Sequence, residues 1–212
     1  KEKINFIQNK ALELSMFLSI PATTALLIGS DEIISALFGY GSFSSEAVFN
    51  SAKALYYFSF GLPAFALIKV FSSFFFANHD TKTPFFISLI SVFLNIFLSV
   101  YFFESTGFII IPIATSISSW FNSLVLFIFL SNKNLFKFNK MFIIKFVKII
   151  LSSILMGIFF LQLILLFETQ LSYEYNFKFF YMILAVILCI IFFFIISFFI
   201  KAFDYKDLKL KY

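Results

Sequence analysis

Lys69 is a charged residue set well inside a long apolar run, and two roles are open to an ammonium in that position. It lies seven residues before Phe76, so about 10 Å along a helix from the end of its run. Its four-carbon stem is long enough to lift the charge to a headgroup layer. The other role is to face a wet cavity and receive an anionic substrate, as intramembrane charges commonly do. The remaining interior polar groups are Asn95, in the middle of the next apolar run, and the set Thr115, Ser118, Ser119 and Asn122. That set falls on one helical face by its i, i+3, i+4 spacing. Small polar residues of this kind more often glue helices together than hold a ligand. Asn95 and Asn122 are carried as candidate substrate contacts beside that packing role.

Enzyme chemistry finds little to work with. One histidine and one cysteine cannot make a zinc site of the usual kind, and His79 sits in a polar stretch beside Asp80. Nucleophile-elbow, zinc-protease and phosphate-loop patterns are all missing from the sequence. Glu104, Glu168 and Glu174 read most simply as solvated loop acids. Gly39-Tyr40-Gly41 matches the GYG of potassium filters, but Leu37-Phe38 precede it where a filter needs Thr-Val. It is expected to be a turn. Cys189 is a lone thiol in an apolar run and reads as a small hydrophobe. The expectation is a non-enzyme without metal or cofactor.

The elements that must position these groups follow from composition. Hydrophobic residues make up 61% of the chain and charged residues 13%, and the mean hydropathy is +1.00. Soluble domains average about 45–50% apolar and about 25% charged. Thirty-eight phenylalanines would leave a soluble fold of this size with large exposed apolar patches, so lipid is the expected solvent. Six runs meet the roughly 20-residue requirement for crossing hydrocarbon, at residues 12–28, 54–76, 85–103, 108–130, 142–167 and 179–200. Residues 31–38 form a short amphipathic segment, with Asp31-Glu32 as an expected N-cap pair and Gly39 as its end. Pro21, Pro63 and Pro112 each fall inside a run. Proline removes a backbone bond and kinks a helix, a feature of transporters that rock between two states. Ser153-x-x-x-Gly157 is a small-xxx-small helix contact.

The charges between the runs alternate. Lys1, Lys3 and Lys10 precede the first run and Lys82 follows the second. Lys133, Lys137, Lys140 and Lys145 follow the fourth, and Lys201, Lys206, Lys209 and Lys211 the sixth. The other three connections hold only two lysines, Lys53 and Lys178, and their acids include Glu46, Glu104, Glu168 and Glu174. The positive-inside rule then places both ends of the chain in the cytoplasm. The net charge of +5 is accounted for by this topology, and no nucleic-acid partner is expected. The chain starts at Lys1 with no signal-like segment ahead of the first run, so it is expected to be part of a longer protein. Runs one to four carry proline, glycine and polar residues, whereas the last two are almost wholly Phe, Ile and Leu. That shift divides the chain into 1–130, four spans of one lobe, and 131–212, two further helices and a tail.

Several of these residues also fall in a recognisable order. Ala11-Leu12-Glu13-Leu14-Ser15, Ile20-Pro21-Ala22 and Leu37-Phe38 with Gly41-x-Phe43 come first. Gly61-Leu62-Pro63-Ala64-Phe65, Ile68-Lys69-Val70, Phe75-Phe76-Ala77 and Asp80-Thr81-Lys82-Thr83-Pro84 follow. Then come Gly107, Ala114-Thr115-Ser116 and Trp120-x-Asn122. The series resembles the MurJ (MviN) lipid II flippase family of the MOP exporter superfamily, in detail over residues 11–130 and by hydropathy alone beyond them. The family commonly has glycine and alanine where this chain has Ile110 and Pro112, a departure that bears on how the fourth span packs.

The resemblance implies an all-α integral membrane fold in which these six transmembrane helices are the C-terminal part of a 14-helix MOP-type transporter. It implies alternating access, with lipid II, the undecaprenyl-linked peptidoglycan precursor, carried across the bacterial inner membrane. Lys69 is then expected to face the central cavity. Pro21, Gly61, Pro63, Asp80 and Pro84 are expected to be conformational: Asp80 caps the third span, Thr81 and Thr83 bond nearby backbone, and Pro84 sets the helix start. Lipid II and membrane lipids are the implied partners, with cell-wall synthesis proteins a further class. A wet cationic path suits a pyrophosphate, whose transfer through hydrocarbon is prohibitive, while the two Phe- and Ile-rich helices suit a prenyl tail. Two alternatives stand beside this reading. One is another MOP-type exporter of lipid-linked oligosaccharides. The other is a polyprenyl-phosphate membrane enzyme, for which Glu104 and Asp80 are the sole acid candidates, each without a convincing partner.

Overall fold

The computed structural model describes residues 2–202, which form helices joined by short turns, with no strand among the described residues. In chain order they are α1 (Glu2–Ile28), α2 (Ser30–Phe38), α3 (Ser45–Ser59), α4 (Leu62–Ala77), α5 (Lys82–Thr106), α6 (Ile110–Asn132), α7 (Lys140–Leu166), α8 (Glu168–Leu171) and α9 (Lys178–Phe199), with a 3₁₀ turn at Gly107–Ile109. Lys1, Lys206, Lys209 and Lys211, counted above as flanking charges, lie outside the described residues.

Four helical runs are long and apolar enough to cross a membrane, or five when the bent pair α3 and α4 counts as one. One of the four is the 51-residue run Lys82–Asn132, about twice what a crossing needs. Gly107, at φ +65°, lets this run turn back on itself. Asn95 Nδ2 donates to Thr115 Oγ1 (3.0 Å) and Asn122 Nδ2 to Ser88 Oγ (3.4 Å), so α5 and α6 pair antiparallel. Counted as two passes, this hairpin brings the total to the predicted six. Much of the apolar surface points outward, including Phe93, Phe97, Ile128, Leu165, Phe180 and Phe198, as lipid-facing surface does.

Three expectations are corrected. The first span begins at Glu2, not at residue 12, and Lys10 is no solvated flank. It is buried in α1 and pairs with Glu13 one turn on (2.8 Å). The second span is broken at Phe60–Gly61 between α3 and α4. Pro63 therefore stands in the first turn of α4 and Pro112 is the third residue of α6, positions where a missing N–H costs little. Of the three, only Pro21 lies in a helix interior. Asp31 and Glu32 occupy the first turn of α2, whose cap position is Gly29. The carboxylates suit the helix dipole there but do not cap it.

The chain divides into two compact units. The first comprises the described residues up to Ser19 with Tyr57–Ile143. In it α5 and α4 pack on α6, and the turn after α6 is nailed down by Phe136, whose ring lies 5.0–6.4 Å from those of Phe71, Phe74, Phe127 and Phe138. Asn5 and Asn9, one helical turn apart on α1, clasp the same turn. Asn9 Nδ2 donates to the Lys137 carbonyl (2.9 Å), Asn9 Oδ1 accepts from the Asn139 N–H (2.9 Å), and Asn5 Oδ1 accepts from the Lys137 N–H (3.0 Å).

The second unit comprises Ile20–Tyr56 with the described residues from Ile144 onward. Here α7 lies close against the end of α1. A Cβ added at Gly157 would stand 2.7 Å from Thr24 and Ile28, and one at Gly29 would stand 2.5 Å from Phe160. That fits the small-residue contact expected at Ser153 and Gly157. Ile34, Val48 and Ala52 form a small apolar cluster with Phe43 and Leu55 around it.

Candidate functional site

The break between α3 and α4 frees backbone carbonyls that an unbroken helix would pair. Two side chains of α6 take them up. Ser116 Oγ donates to the Tyr57 carbonyl (2.7 Å) and Trp120 Nε1 to the Phe60 carbonyl (2.9 Å). Broken backbone is tolerated at membrane depth when neighbours satisfy it in this way. Gly61 allows the close approach: a Cβ there would lie 3.0 Å from Ser116 Oγ and 3.2 Å from its Cα. Gly61 and Pro63 thus mark the joint, and Ser116 and Trp120 are the braces that sequence reading did not assign.

Beyond the joint, α4 buries Ala64, Phe71, Phe74 and Phe75. Lys69 lies two residues before Phe71, a rotation of about 200°, and is exposed on the opposite side of the helix. No hydrogen-bond or ion-pair partner meets its ammonium among the described residues, so α4 presents an uncommitted cation on the face turned from α6.

At the far end of α4, Asp80 is the hub of a tight network. Its Oδ1 accepts from the Thr83 N–H (3.0 Å), and its Oδ2 pairs with Thr83 Oγ1 (2.7 Å) and Lys133 Nζ (2.6 Å). The first bond is the cap expected of Asp80, with Pro84 in the first turn of α5. Lys133, just past the end of α6, is an addition. Its hydrogen bond is the main reason the Asp80 carboxyl is held well below the usual carboxylate range, with the Thr83 bonds next. The α5–α6 hairpin is thereby closed at the end opposite Gly107.

Asn95 and Asn122 stand inside the hairpin, not on an open face. Asn95 Nδ2 bonds both Thr115 and Ser118, and Asn122 is buried with its Oδ1 unpartnered. Pro21 sits in the interior of α1.

The second unit holds an unexpected cation. Lys178, counted above as a loop charge, is 1% exposed. Its Nζ donates to the carbonyls of Gly39 (2.7 Å) and Tyr173 (2.5 Å) and lies 4.6 Å from the ring centres of Tyr40 and Tyr173. The Gly39-Tyr40-Gly41 sequence is a turn closed by this lysine, with Gly41 at φ +61°.

An all-helical, multi-pass membrane domain with a braced broken span and an unpartnered cation on the second half of that span is what these features define. A family model described as lipid II flippase MurJ matches residues 1–186, and the chain belongs to that family. Two similar relatives carry the description probable lipid II flippase MurJ. The Rickettsia prowazekii protein is 39% identical over 55% of this chain and 23% of its own length. The Thermotoga maritima protein is 37% identical over 68% of this chain and 28% of its own. A solved structure of lipid II flippase MurJ in an inward closed conformation superposes with a TM-score of 0.74 at 28% identity, covering 98% of this chain and 40% of that one. The chain thus spans about a quarter of the curated relatives' length.

Proposed function

We propose that this chain is the C-terminal part of a flippase that carries lipid II across the bacterial inner membrane, and that Lys69 meets the pyrophosphate in the translocation cavity. The exposed, unpartnered ammonium of Lys69, the sole charge of α4, is the observation that carries this reading. A cation so placed, with no partner within its own unit, suits an anion that arrives and leaves. Asp80, Gly61, Pro63, Pro84 and Pro21 serve the movement, holding helix ends and joints. Asn95 and Asn122 pin α5 to α6. The Phe- and Ile-rich α7 and α9 lie along the prenyl tail, and both ends of the chain face the cytoplasm.

Complementation of a conditional flippase depletion with the full-length protein tests the role of Lys69. Lys69→Ala is expected to abolish growth at normal membrane levels. Lys69→Arg should keep part of it, since the charge survives with a different geometry. Full growth with Lys69→Leu would refute contact with the pyrophosphate.

A further inference from the structure

The side of α4 that carries Lys69 holds a second uncommitted polar group. Ser72 lies three residues further on, which is about 60° round the helix and about 4.5 Å along it, so the two are neighbours on one face. Phe65 and Phe76 stand exposed on the same face, one turn before Lys69 and two turns after it. Lys69, Ser72 and Ser73 are the polar side chains of α4. Ser72 is half-buried, and its Oγ meets no hydrogen-bond partner among the described residues while remaining open to the surface.

In this respect Ser72 differs from the serines around it. A serine inside a helix commonly returns its hydroxyl to a carbonyl three or four residues back. Ser73 does so with Val70 (2.7 Å), Ser91 with Ile87 (2.8 Å) and Ser123 with Trp120 (2.9 Å). Ser72 does not, and a free hydroxyl turned to hydrocarbon costs free energy that such a bond would recover. An open Ser72 beside an unpartnered ammonium therefore fits a face that meets a polar ligand, not one that meets lipid.

We propose that Ser72 is a second anion-binding group beside Lys69, and that the pair selects a diphosphate over a monophosphate. This role of Ser72 rests on Lys69 meeting the pyrophosphate, and adds to it a residue and a specificity. Helical side chains lean toward the N-terminus of their helix. The long Lys69 stem thus carries its ammonium away from Ser72, and the two donors stand further apart than the roughly 5–6 Å between neighbouring Cβ atoms. Two linked phosphoryl groups span that gap. The ammonium, a compact point charge, takes one of them, and the Ser72 hydroxyl donates to an oxygen of the other as a charge-assisted bond. A single phosphoryl group held by the ammonium leaves Ser72 unused.

The test measures binding of farnesyl diphosphate and farnesyl monophosphate to the full-length protein in detergent by isothermal titration calorimetry. Ser72→Ala is expected to weaken the diphosphate about tenfold, as the loss of a hydrogen bond to a charged group does, and the monophosphate by less than about twofold. Ser72→Thr keeps the hydroxyl and should recover most of the diphosphate affinity, whereas Lys69→Gln should weaken both ligands. If Lys69→Gln weakens both and Ser72→Ala leaves the diphosphate unchanged, Ser72 has no such role and the Lys69 contact stands. Equal weakening of both ligands by Ser72→Ala, or no recovery in Ser72→Thr, marks a merely structural serine and overturns the proposal. No saturable binding of the diphosphate by the unaltered protein overturns it too. Full affinity of Lys69→Gln for both ligands would instead refute the Lys69 contact itself, and the pair with it.

Discussion

Replacing Lys178 by methionine keeps the length of the stem and removes the charge from a place where no carboxylate balances it. Hydrogen bonds from a charged group are worth about 1.5–3 kcal/mol each, and Lys178 makes two, to Gly39 and Tyr173. Its contacts with two tyrosine faces at 4.6 Å add about 0.5–2 kcal/mol apiece. Taking an ammonium out of water costs several kcal/mol, which offsets most of that gross sum. The methionine variant escapes the desolvation cost but leaves two carbonyls without their donor. We expect a net loss of about 1–3 kcal/mol, which is the range for a buried polar group left unpaired. At about 2–4 °C per kcal/mol for a domain of this size, the melting point falls by roughly 2–12 °C. Cys189 is buried on the same helix, α9, so a thiol-reactive dye reports the release of that helix on heating in a full-length protein where it is the sole cysteine. Lys178→Arg should fall similarly, because a planar fork does not fit a cage built for a point charge. A methionine variant that melts at or above the wild-type temperature would refute the reasoning.

Asp80→Asn should lose only the partly exposed pair with Lys133, about 0–1 kcal/mol, whereas Asp80→Ala also loses the helix cap, for about 1–3 kcal/mol in total. Thermal melting separates the two, and equal losses would rule out the cap. Because the Asp80 carboxyl is held below its unfolded value, its contribution is complete above about pH 4 and fades as pH falls further; Asp80→Asn should flatten that part of a stability–pH curve. Asn9→Leu removes the clasp on the turn after α6, about 2–4 kcal/mol for its lost and unpaired groups, and limited proteolysis near residues 133–139 should speed up markedly. An impermeant thiol reagent should reach a cysteine placed at Glu174 from outside the cell and not one at Asn134; the reverse pattern would invert the topology.

The apolar runs were legible because length and hydropathy are local properties, and the turn at Gly107 needs nothing beyond a residue free to adopt positive φ. Lys69 was visible for the same reason, being a charge where its neighbours are apolar. What stayed hidden depends on partners distant in sequence. Asp80 looked like a cap, and it is one, but nothing near it announces Lys133, 53 residues away. Lys10 and Lys178 looked like flanking charges because a linear count of lysines cannot tell solvent from a carbonyl cage. Ser116 and Trp120 lay within motifs already noticed, yet their acceptors became apparent only with the break at Gly61. Asn5 and Asn9 did leave a readable signal, two amides one helical turn apart, which is a face with something to hold.

The braces on the broken span set an order of assembly. Tyr57 and Phe60 are made 59 and 60 residues before the side chains that pair with their carbonyls. At about 5–20 residues per second of synthesis, roughly 3–12 s separate the two. An unpaired carbonyl in hydrocarbon costs several kcal/mol, so during that interval the α3–α4 joint is poorly suited to lipid and better suited to the wet, protein-lined environment of the insertion machinery. Release of the second span into the bilayer is then expected to await the fourth, and crosslinking of nascent chains halted before and after Ser116 checks that order.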